Sequence, residues 1–414
     1  MSVISLRFCI SGAICRTLVV AGLAFAALSG CGGGGDAVPP VIPGGPPPAA
    51  LALSPQAELG DQIFHDVSLS ANGTQSCATC HAPDHAFAGA LPTEPVPLGG
   101  VSGSVPGFRN SPSLKYLTQN PAFFFDEEGT PTGGFNRDGR ANSLQEQARR
   151  PFLAAHEMAN ASAEAVVVKL RVAPYAAQFR QVFGDQIFDD AETAFARALF
   201  ALQKYQQEDT AEFTPYTSKY DAFLAGRAQL SAPELRGFRL YNDPLKGNCA
   251  GCHPSARGAD GSPPLFTDFT YDNLGVPRNA AISANANPDY FDLGLCGPDR
   301  VDLQAAADLC GAFKVPTLRN VAITAPYFHN GRFETLDQVV HFYVRRDTNP
   351  EEWYPIGSDG QPQKFNDLPP QFAANVNTVE VPYNRHPGDL PALDEVEIQD
   401  LIAFLQTLTD GYQP

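Results

Sequence analysis

Two copies of the motif Cys-x-x-Cys-His constrain the fold of this 414-residue chain more than any other feature. In such a motif both thiols can bond to the vinyl groups of a haem, and the histidine can bind its iron from one side. One copy could be chance or half of a zinc site, but two copies favour two covalently bound c-type haems. The predicted haem residues are Cys77, Cys80, His81, Cys249, Cys252 and His253. The chain must therefore fold around two large, flat cofactors.

The segments before the two motifs, residues 57–81 and 233–253, are alike. Each passes from a helix start through a glycine, an aromatic residue and an aspartate into the motif. Each half of the chain also closes with apolar residues at helical spacing, which predicts an amphipathic helix. These two stripes run from Phe195 to Leu202 and from Ile398 to Leu408.

This repetition predicts a mainly α-helical protein with two tandem cytochrome-c-like helical domains. The first domain should span residues 51–225 and the second residues 226–414, with one haem in each. The chain contains 36 glycines and 37 prolines, many of them in long irregular stretches, which predicts loops that wrap the haems.

The first 50 residues predict export. Residues 17–28 form an apolar run that is too short to span a bilayer and typical of a signal peptide, so residues 1–30 should be removed. The run ends in Leu-Ser-Gly-Cys31, which is similar to a lipobox and predicts a lipid on Cys31; ordinary secretory cleavage nearby is the alternative. Residues 31–50 are rich in glycine and proline and should form a flexible tether. We therefore expect a lipid-anchored protein on the periplasmic side or at the cell surface.

The charge and the remaining cysteines fit this compartment. A net charge of −17 disfavours nucleic acid as a partner and favours a neutral or basic protein. Once the signal segment, the lipid and the haems have taken their cysteines, Cys296 and Cys310 remain. Outside the cytoplasm these two should form a disulfide, and two buried free thiols are the alternative.

The composition limits what can bind the second face of each iron. The chain has two methionines, and only Met158 remains after export, so methionine ligation is disfavoured. At the first haem, His85 follows the proximal histidine too closely to reach the opposite face, and the next histidine is His156. That face should therefore be open. Glu157 is then either a surface acid in a helix or a general acid/base that moves a proton between the oxygens of bound peroxide.

At the second haem, the segment TLDQVVHFYVRR predicts a helix that begins at a capping box. Leu336, Val340 and Tyr343 share its apolar stripe, so the Tyr343 phenol should be buried. A core tyrosine with an ordinary hydrogen bond is one interpretation. The lack of methionine favours the other, in which Tyr343 binds the second iron. His341 is the main rival ligand, but it lies off the stripe.

Further strings resemble the bacterial di-haem cytochrome c peroxidase and MauG superfamily over nearly all of the chain after about residue 51. They are Arg109–Pro112, Arg137–Arg140, Gln147, Pro151, Glu157–Met158, Phe313–Asn320 and Tyr327–His329. The resemblance implies that Gln147 and Glu157 are the catalytic residues of the peroxide-binding haem. It also implies that Tyr343 ligates the second iron, as in MauG-type enzymes.

The resemblance implies a calcium ion between the haems as well. In this sequence its ligands would be the Asn110 side chain and the backbone carbonyls of Thr324 and Pro326, and oxygen ligands of this kind suit a hard cation. One residue departs from the family pattern: Arg137 replaces the tryptophan that precedes Asp-Gly-Arg. Transfer of electrons between the haems must then be slower or follow another route.

The implied activity is an oxidoreductase that uses hydrogen peroxide to form iron(IV) at both haems and then oxidises a residue, such as tryptophan, on a partner protein. The strings around residues 293–298, 313–320 and 343–355 look most similar to the MbnH-type group. Trp353, the sole tryptophan, is either an exit for oxidising equivalents or, as the sequence favours, an aromatic packed beside Pro355. One alternative is a cytochrome c peroxidase supplied with electrons by a small cytochrome c or a cupredoxin. Another is an electron carrier without enzymatic activity.

Overall fold

The computed structural model describes residues 52–89 and 95–414. The signal segment, Cys31 and the tether lie outside these residues and stay predictions. The α-helices are α1 (Pro55–His65), α2 (Cys77–Cys80), α3 (Leu144–Leu153), α4 (Ala163–Leu170), α5 (Ala176–Phe183), α6 (Ala191–Glu208), α7 (Thr210–Phe213), α8 (Lys219–Leu224), α9 (Ala232–Asn242), α10 (Leu336–Arg345) and α11 (Glu395–Gln406).

The strands are two residues long and form three antiparallel pairs in this part of the chain. They are β1 (Leu98–Gly99) with β2 (Val105–Pro106), β3 (Phe124–Phe125) with β4 (Pro131–Thr132), and β5 (Tyr271–Asp272) with β6 (Phe313–Lys314). The prediction of a mainly helical protein is confirmed. Among the described helices, none combines the length and the apolar character that crossing a membrane requires.

The same helix crossing occurs twice. Helix α1 packs on α6, and Gly60 lies so close to α6 that a Cβ there would collide with the carbonyl oxygen of Ala201. Helix α9 packs on α11, and Gly237 meets the carbonyl oxygen of Asp400 in the same way. Four residues after each glycine, one helical turn along the same face, an aromatic side chain is buried. The similar segments of the sequence therefore build similar helix pairs in front of the two haem motifs.

The buried apolar side chains form two large clusters. The first draws on α1 and α3–α6, and the second on α8–α11 and the loops between them. Tyr220 of α8 belongs to the second cluster although it precedes residue 226. The boundary between residues 225 and 226 stays a prediction.

A buried ionic network joins the Arg137–Arg140 string to a loop of the second half. The Arg109 guanidinium donates to Asp138 at 2.7 Å and to both oxygens of Asp292 at 2.6 and 2.7 Å. Arg140 also donates to Asp138, and Arg300 donates to the Asp138 backbone carbonyl. Arg109 binds Asp138 of the first half and Asp292 of the second, so the network links the two halves around a fully buried carboxylate.

The loop that contains Arg300 is closed by a covalent bond. Cys296 and Cys310 form a disulfide, with Cα atoms 4.8 Å apart. Their sulfurs are buried beside backbone carbonyls of residues 304 and 306. The bond tethers the loop next to β6.

Candidate di-haem site

The two Cys-x-x-Cys-His motifs line one large cavity in the described part of the chain. The predicted haem and pocket residues that line it are Cys77, Cys80, His81, Gln147, Glu157, Cys249, Cys252, His253 and Tyr343. In each motif the backbone winds through one turn, with the histidine N–H donating to the carbonyl of the first cysteine at 2.9 and 2.8 Å. That turn brings the two sulfurs and the imidazole to the same side of the chain.

Both motif histidines are oriented by a backbone carbonyl. The Nδ1 atom of His81 lies 3.0 Å from the carbonyl oxygen of Phe87, and Nδ1 of His253 lies 2.7 Å from that of Phe266. Both phenylalanines adopt a left-handed backbone conformation, with φ of 57° and 54°. Donation from Nδ1 leaves the Nε2 lone pair free for a metal.

Burial also favours the neutral form of both motif histidines, which is the form that binds iron. It lowers the pKa of His81 and of His253, so both rings are held neutral. The hydroxyl of Tyr241 donates to the His253 carbonyl at 2.5 Å and fixes the second motif from behind. The paired cysteines and the oriented, neutral histidines are the donor set that two c-type haems require.

Gln147 and Glu157 line the cavity from two parts of one folded segment, and the Glu157 carboxylate acts electrostatically on Cys80 and His81 of the first motif. Gln147 lies on α3, and Glu157 lies in the turn that follows this helix rather than in a helix. The N–H of Met158 donates back to the carbonyl of Pro151 at 3.0 Å, and the N–H of Gly100 donates to the carbonyl of Glu157 at 2.7 Å. The turn is thus held between α3 and the β1–β2 hairpin.

The other histidines near this motif occupy two different environments. His156 lines the cavity, with Nε2 3.4 Å from the Glu157 carboxylate and its ring centroid 4.5 Å from that of Phe108. His85 lies at the surface, where Nδ1 is 3.0 Å from the Asp84 carboxylate. The acid Glu157 and the amide of Gln147 therefore share the cavity with His156, whose presence there the sequence did not predict.

Tyr343 lies beside the second motif, on α10. Its ring is 5.9 Å from that of Phe328 and 5.8 Å from that of Tyr383. Burial raises the pKa of the Tyr343 phenol, so in the chain itself the phenol keeps its proton. Tyr383, also in the cavity lining, escaped the sequence analysis because it comes from a distant loop with no periodic pattern.

His341 lies on the outer side of the same helix. Its Nδ1 is 2.8 Å from the Asp337 carbonyl, and its Nε2 is 3.0 Å from the Glu395 carboxylate. Both ring nitrogens are thus engaged at the surface, whereas Tyr343 lines the cavity.

Two cations lie in the cavity wall between the motifs. Arg137 donates from Nε to the Asn110 carbonyl at 2.9 Å, and burial together with Arg109 lowers its pKa to about 10. Lys314 donates to the Gly134 carbonyl at 2.6 Å, and burial together with Arg137 lowers its pKa to about 7. Two half-buried basic side chains that line a cavity are suited to bind carboxylates such as haem propionates.

Of the three proposed calcium ligands, Asn110 and Pro326 are in direct contact. The Asn110 amide nitrogen lies 2.5 Å from the Pro326 carbonyl oxygen and 3.4 Å from that of Phe328. Thr324 lines the same cavity. Rotating the Asn110 amide would turn its oxygen toward the position now held by its nitrogen, where a cation could bridge the two oxygens.

Known proteins resemble this chain along most of its length. The family model for di-haem cytochrome c peroxidase matches residues 54–229. The methylamine utilization protein MauG of Paracoccus denitrificans is 37% identical over 376 residues, which cover 86% of this chain and 89% of that protein. The cytochrome c peroxidase Ccp of Escherichia coli is 30% identical over 331 residues, or 78% of this chain and 58% of that protein.

A solved structure shows the same architecture. The crystal structure of the diheme peroxidase BthA from Burkholderia thailandensis has a TM-score of 0.78 and 37% identity, over 89% of this chain and 95% of that chain. These relatives do not single out the MbnH-type group, which stays a prediction. They do establish two c-type haems and an oxidoreductase that acts on peroxide. The chain belongs to the di-haem cytochrome c peroxidase and MauG family.

Proposed function

We propose that this protein is a MauG-like enzyme that uses hydrogen peroxide to oxidise a residue, such as tryptophan, on a partner protein. The observation that carries the proposal is Tyr343, which lines the cavity beside the second haem motif while His341 is held at the surface. A hard phenolate ligand stabilises a high oxidation state, whereas a soft methionine sulfur would favour Fe(II). When bound, the two haems reduce peroxide by two electrons and store the two oxidising equivalents, one at each iron.

The chain supplies the proton chemistry at the first haem. Glu157 is the group that takes a proton from one peroxide oxygen and gives it to the other, so that the O–O bond is cleaved heterolytically. Gln147 on α3 orients the peroxide by a hydrogen bond. We propose that the first haem stays open in the oxidised protein, because the chain has no histidine between His85 and His156, and His156 is engaged with Glu157 and Phe108.

We propose that the partner is reached at a distance, because both haem motifs lie within a cavity lined by side chains of the two halves. A net charge of −17 suits a neutral or basic partner protein. We further propose that a calcium ion joins Asn110 to the carbonyls of Thr324 and Pro326. Equilibrium dialysis of the chelated protein against calcium would contradict this site if no ion were taken up.

The proposed cellular location is based on the first 50 residues of the sequence. The protein is exported, and its domains are held at the periplasmic side or at the cell surface by the tether and a lipid on Cys31. Cell fractionation would contradict the anchor if the protein were wholly soluble in the periplasm.

The second candidate function is a cytochrome c peroxidase that takes electrons from a small cytochrome c or a cupredoxin. The 30% identity to the Escherichia coli peroxidase favours it. The two functions differ in what the fully oxidised protein does when no electron donor is present.

The discriminating experiment mixes the diferric protein with one equivalent of hydrogen peroxide in a stopped-flow instrument. The MauG-like function predicts an immediate reaction, and a product that takes up two electrons per protein when titrated with ascorbate. A diferric protein that does not react with peroxide until one haem has been reduced would instead be a cytochrome c peroxidase.

A further inference from the structure

The sole tryptophan of the chain lies at the edge of the second core. Trp353 is half-buried, and its ring centroid is 5.7 Å from that of Phe342 and 5.9 Å from that of Phe333. Its indole N–H is buried and has no hydrogen-bond partner among the described residues. A buried donor without a partner is unusual and calls for an explanation.

Packed aromatic rings connect Trp353 to Tyr343. The Tyr343 ring stacks on Phe328 at 5.9 Å, and Phe328 is 5.6 Å from both Phe333 and Phe342. Each of those two rings contacts Trp353. The rings thus form a continuous path of neighbouring aromatic side chains from the proposed iron ligand to the indole.

The far side of the indole faces the surface. Trp353 lines a surface pocket together with Arg278, Arg332, Pro277, Pro355 and Asn366. Arg332 is exposed, and its guanidinium lies 5.4 Å from the Phe333 ring. A protein bound over this pocket would bring its own side chains against the indole edge.

We propose that Trp353 is the relay through which oxidising equivalents leave the second haem for the partner protein. This inference rests on the proposed function, because it needs oxidising equivalents that last until the partner is reached. The sequence favoured Trp353 as an aromatic residue packed beside Pro355. Pro355 does line the pocket next to Trp353, but the indole also contacts Phe333 and Phe342.

The electrons balance over one turnover. Hydrogen peroxide takes up two electrons and two protons and yields two water molecules, which leaves the protein short of two electrons. In each of two steps, Trp353 gives one electron through the aromatic rings to the second haem and then takes one electron from the partner's residue. That residue loses two electrons and releases its protons to solvent, while no bond to Trp353 is made or broken.

The unpartnered N–H suits this role. An indole that has lost an electron becomes a weaker oxidant when its N–H proton moves to a neighbouring acceptor. Among the described residues no acceptor lies beside the Trp353 N–H, so no protein group takes this proton. The oxidised ring then keeps more of its power to oxidise the partner.

A second aromatic path leaves the first haem and serves as the rival. His156 contacts Phe108 at 4.5 Å, and Phe108 contacts Tyr290 at 5.8 Å near the surface. That path does not pass Tyr343, so a Tyr290→Phe variant separates the two routes.

The test uses the two-haem protein and hydrogen peroxide without any partner. Electrons then have to come from the protein itself, and water adds to the oxidised indole, so peptide mass spectrometry should find the main oxygenated residue at Trp353. In Trp353→Phe, decay of the peroxide-generated state should slow by roughly tenfold. Trp353→Tyr keeps an oxidisable ring and should recover most of the rate.

The controls separate a relay from a structural role. Tyr354→Phe alters the neighbouring residue, whose hydroxyl donates to the Gly275 carbonyl, and should leave the decay rate unchanged. The relay would be overturned if Trp353→Phe decayed within twofold of wild type, or if Tyr290→Phe alone slowed decay. Failure of the wild-type protein to hold two oxidising equivalents would instead overturn the proposed function, and the relay with it.

Discussion

The carboxylate of Glu157 lies in a turn that α3 holds on one side and the β1–β2 hairpin on the other. Replacement of Glu157 by glutamine keeps the shape and removes the proton carrier. We expect Glu157→Gln to bind both haems and to slow peroxide cleavage by roughly 10² to 10⁴, the usual contribution of general acid/base catalysis. Stopped-flow absorbance measures the rate. Glu164→Gln, an exposed acid on α4, is the matched control, and a rate within threefold of wild type in Glu157→Gln would refute the assigned role.

The phenol of Tyr343 determines whether the second haem can hold an oxidising equivalent. In Tyr343→Met a soft sulfur replaces a hard oxygen, so the reduction potential should rise by something on the order of 100 mV. The variant should keep both haems and lose oxidation of the partner protein. Redox titration and EPR measure the effect. If Tyr343→Phe left the second haem's low-spin signal unchanged while His341→Ala abolished it, the ligand would be His341.

Some site residues could be predicted from the sequence and others could not. The motif cysteines and histidines could be predicted because their spacing is local. Tyr343 could be predicted because it shares an apolar stripe with Leu336 and Val340. Lys314 and the carbonyls of Phe87 and Phe266 were not predicted. Their contacts depend on backbone positions that no local pattern encodes, such as the left-handed conformations of the two phenylalanines.

At the scale of elements, the repeated helix crossing depends on a glycine. In Gly237→Ala the intrinsic helix preference improves by about 1 kcal/mol, but the new Cβ collides with the Asp400 carbonyl. Overpacking costs about 1–3 kcal/mol, so the net effect should be a loss of stability. Urea unfolding of the haem-loaded protein measures it. Arg239→Ala, on the exposed face of α9, should change stability by less than about 0.5 kcal/mol, and a more stable Gly237→Ala would disprove the close crossing.

The longer elements were predictable and the shortest were not. The capping box at Thr335 and Gln338 marks the start of α10, and the stripe from Ile398 marks α11. The two-residue strands and single 3₁₀ turns carry no periodic signal, since each is shorter than one repeat of the pattern. Glu157 illustrates the difference, because one interpretation of the sequence placed it in a helix and the structure places it in a turn.

At the scale of the whole molecule, Arg109 links the two halves by binding Asp138 of the first and Asp292 of the second. Burial alone would raise the pKa of the Asp138 carboxyl, but Arg109 and Arg140 hold it below its ordinary value. A depressed pKa contributes stability above the unfolded-state pKa and loses it as the pH falls through the folded-state pKa. The protein should therefore lose stability below about pH 4. Asp138→Asn should cost about 3 kcal/mol at pH 7 and flatten this acid dependence.

Urea unfolding at pH 7, 5 and 3 measures both effects of Asp138→Asn. Asp185→Asn, an exposed aspartate, is the control and should behave like wild type. An Asp138→Asn protein with wild-type stability at pH 7 would show that the buried Asp138 carboxylate and its two arginine partners do not stabilise the fold.

The central claim is that both haems share the oxidation by peroxide. Mössbauer spectroscopy of iron-57-enriched diferric protein, frozen after one equivalent of hydrogen peroxide, tests it most directly. The account predicts that the ferric signals of both irons are replaced by spectra of a higher oxidation state, and that in Tyr343→Met only the first iron changes. A wild-type spectrum in which the second iron stays ferric would contradict the account.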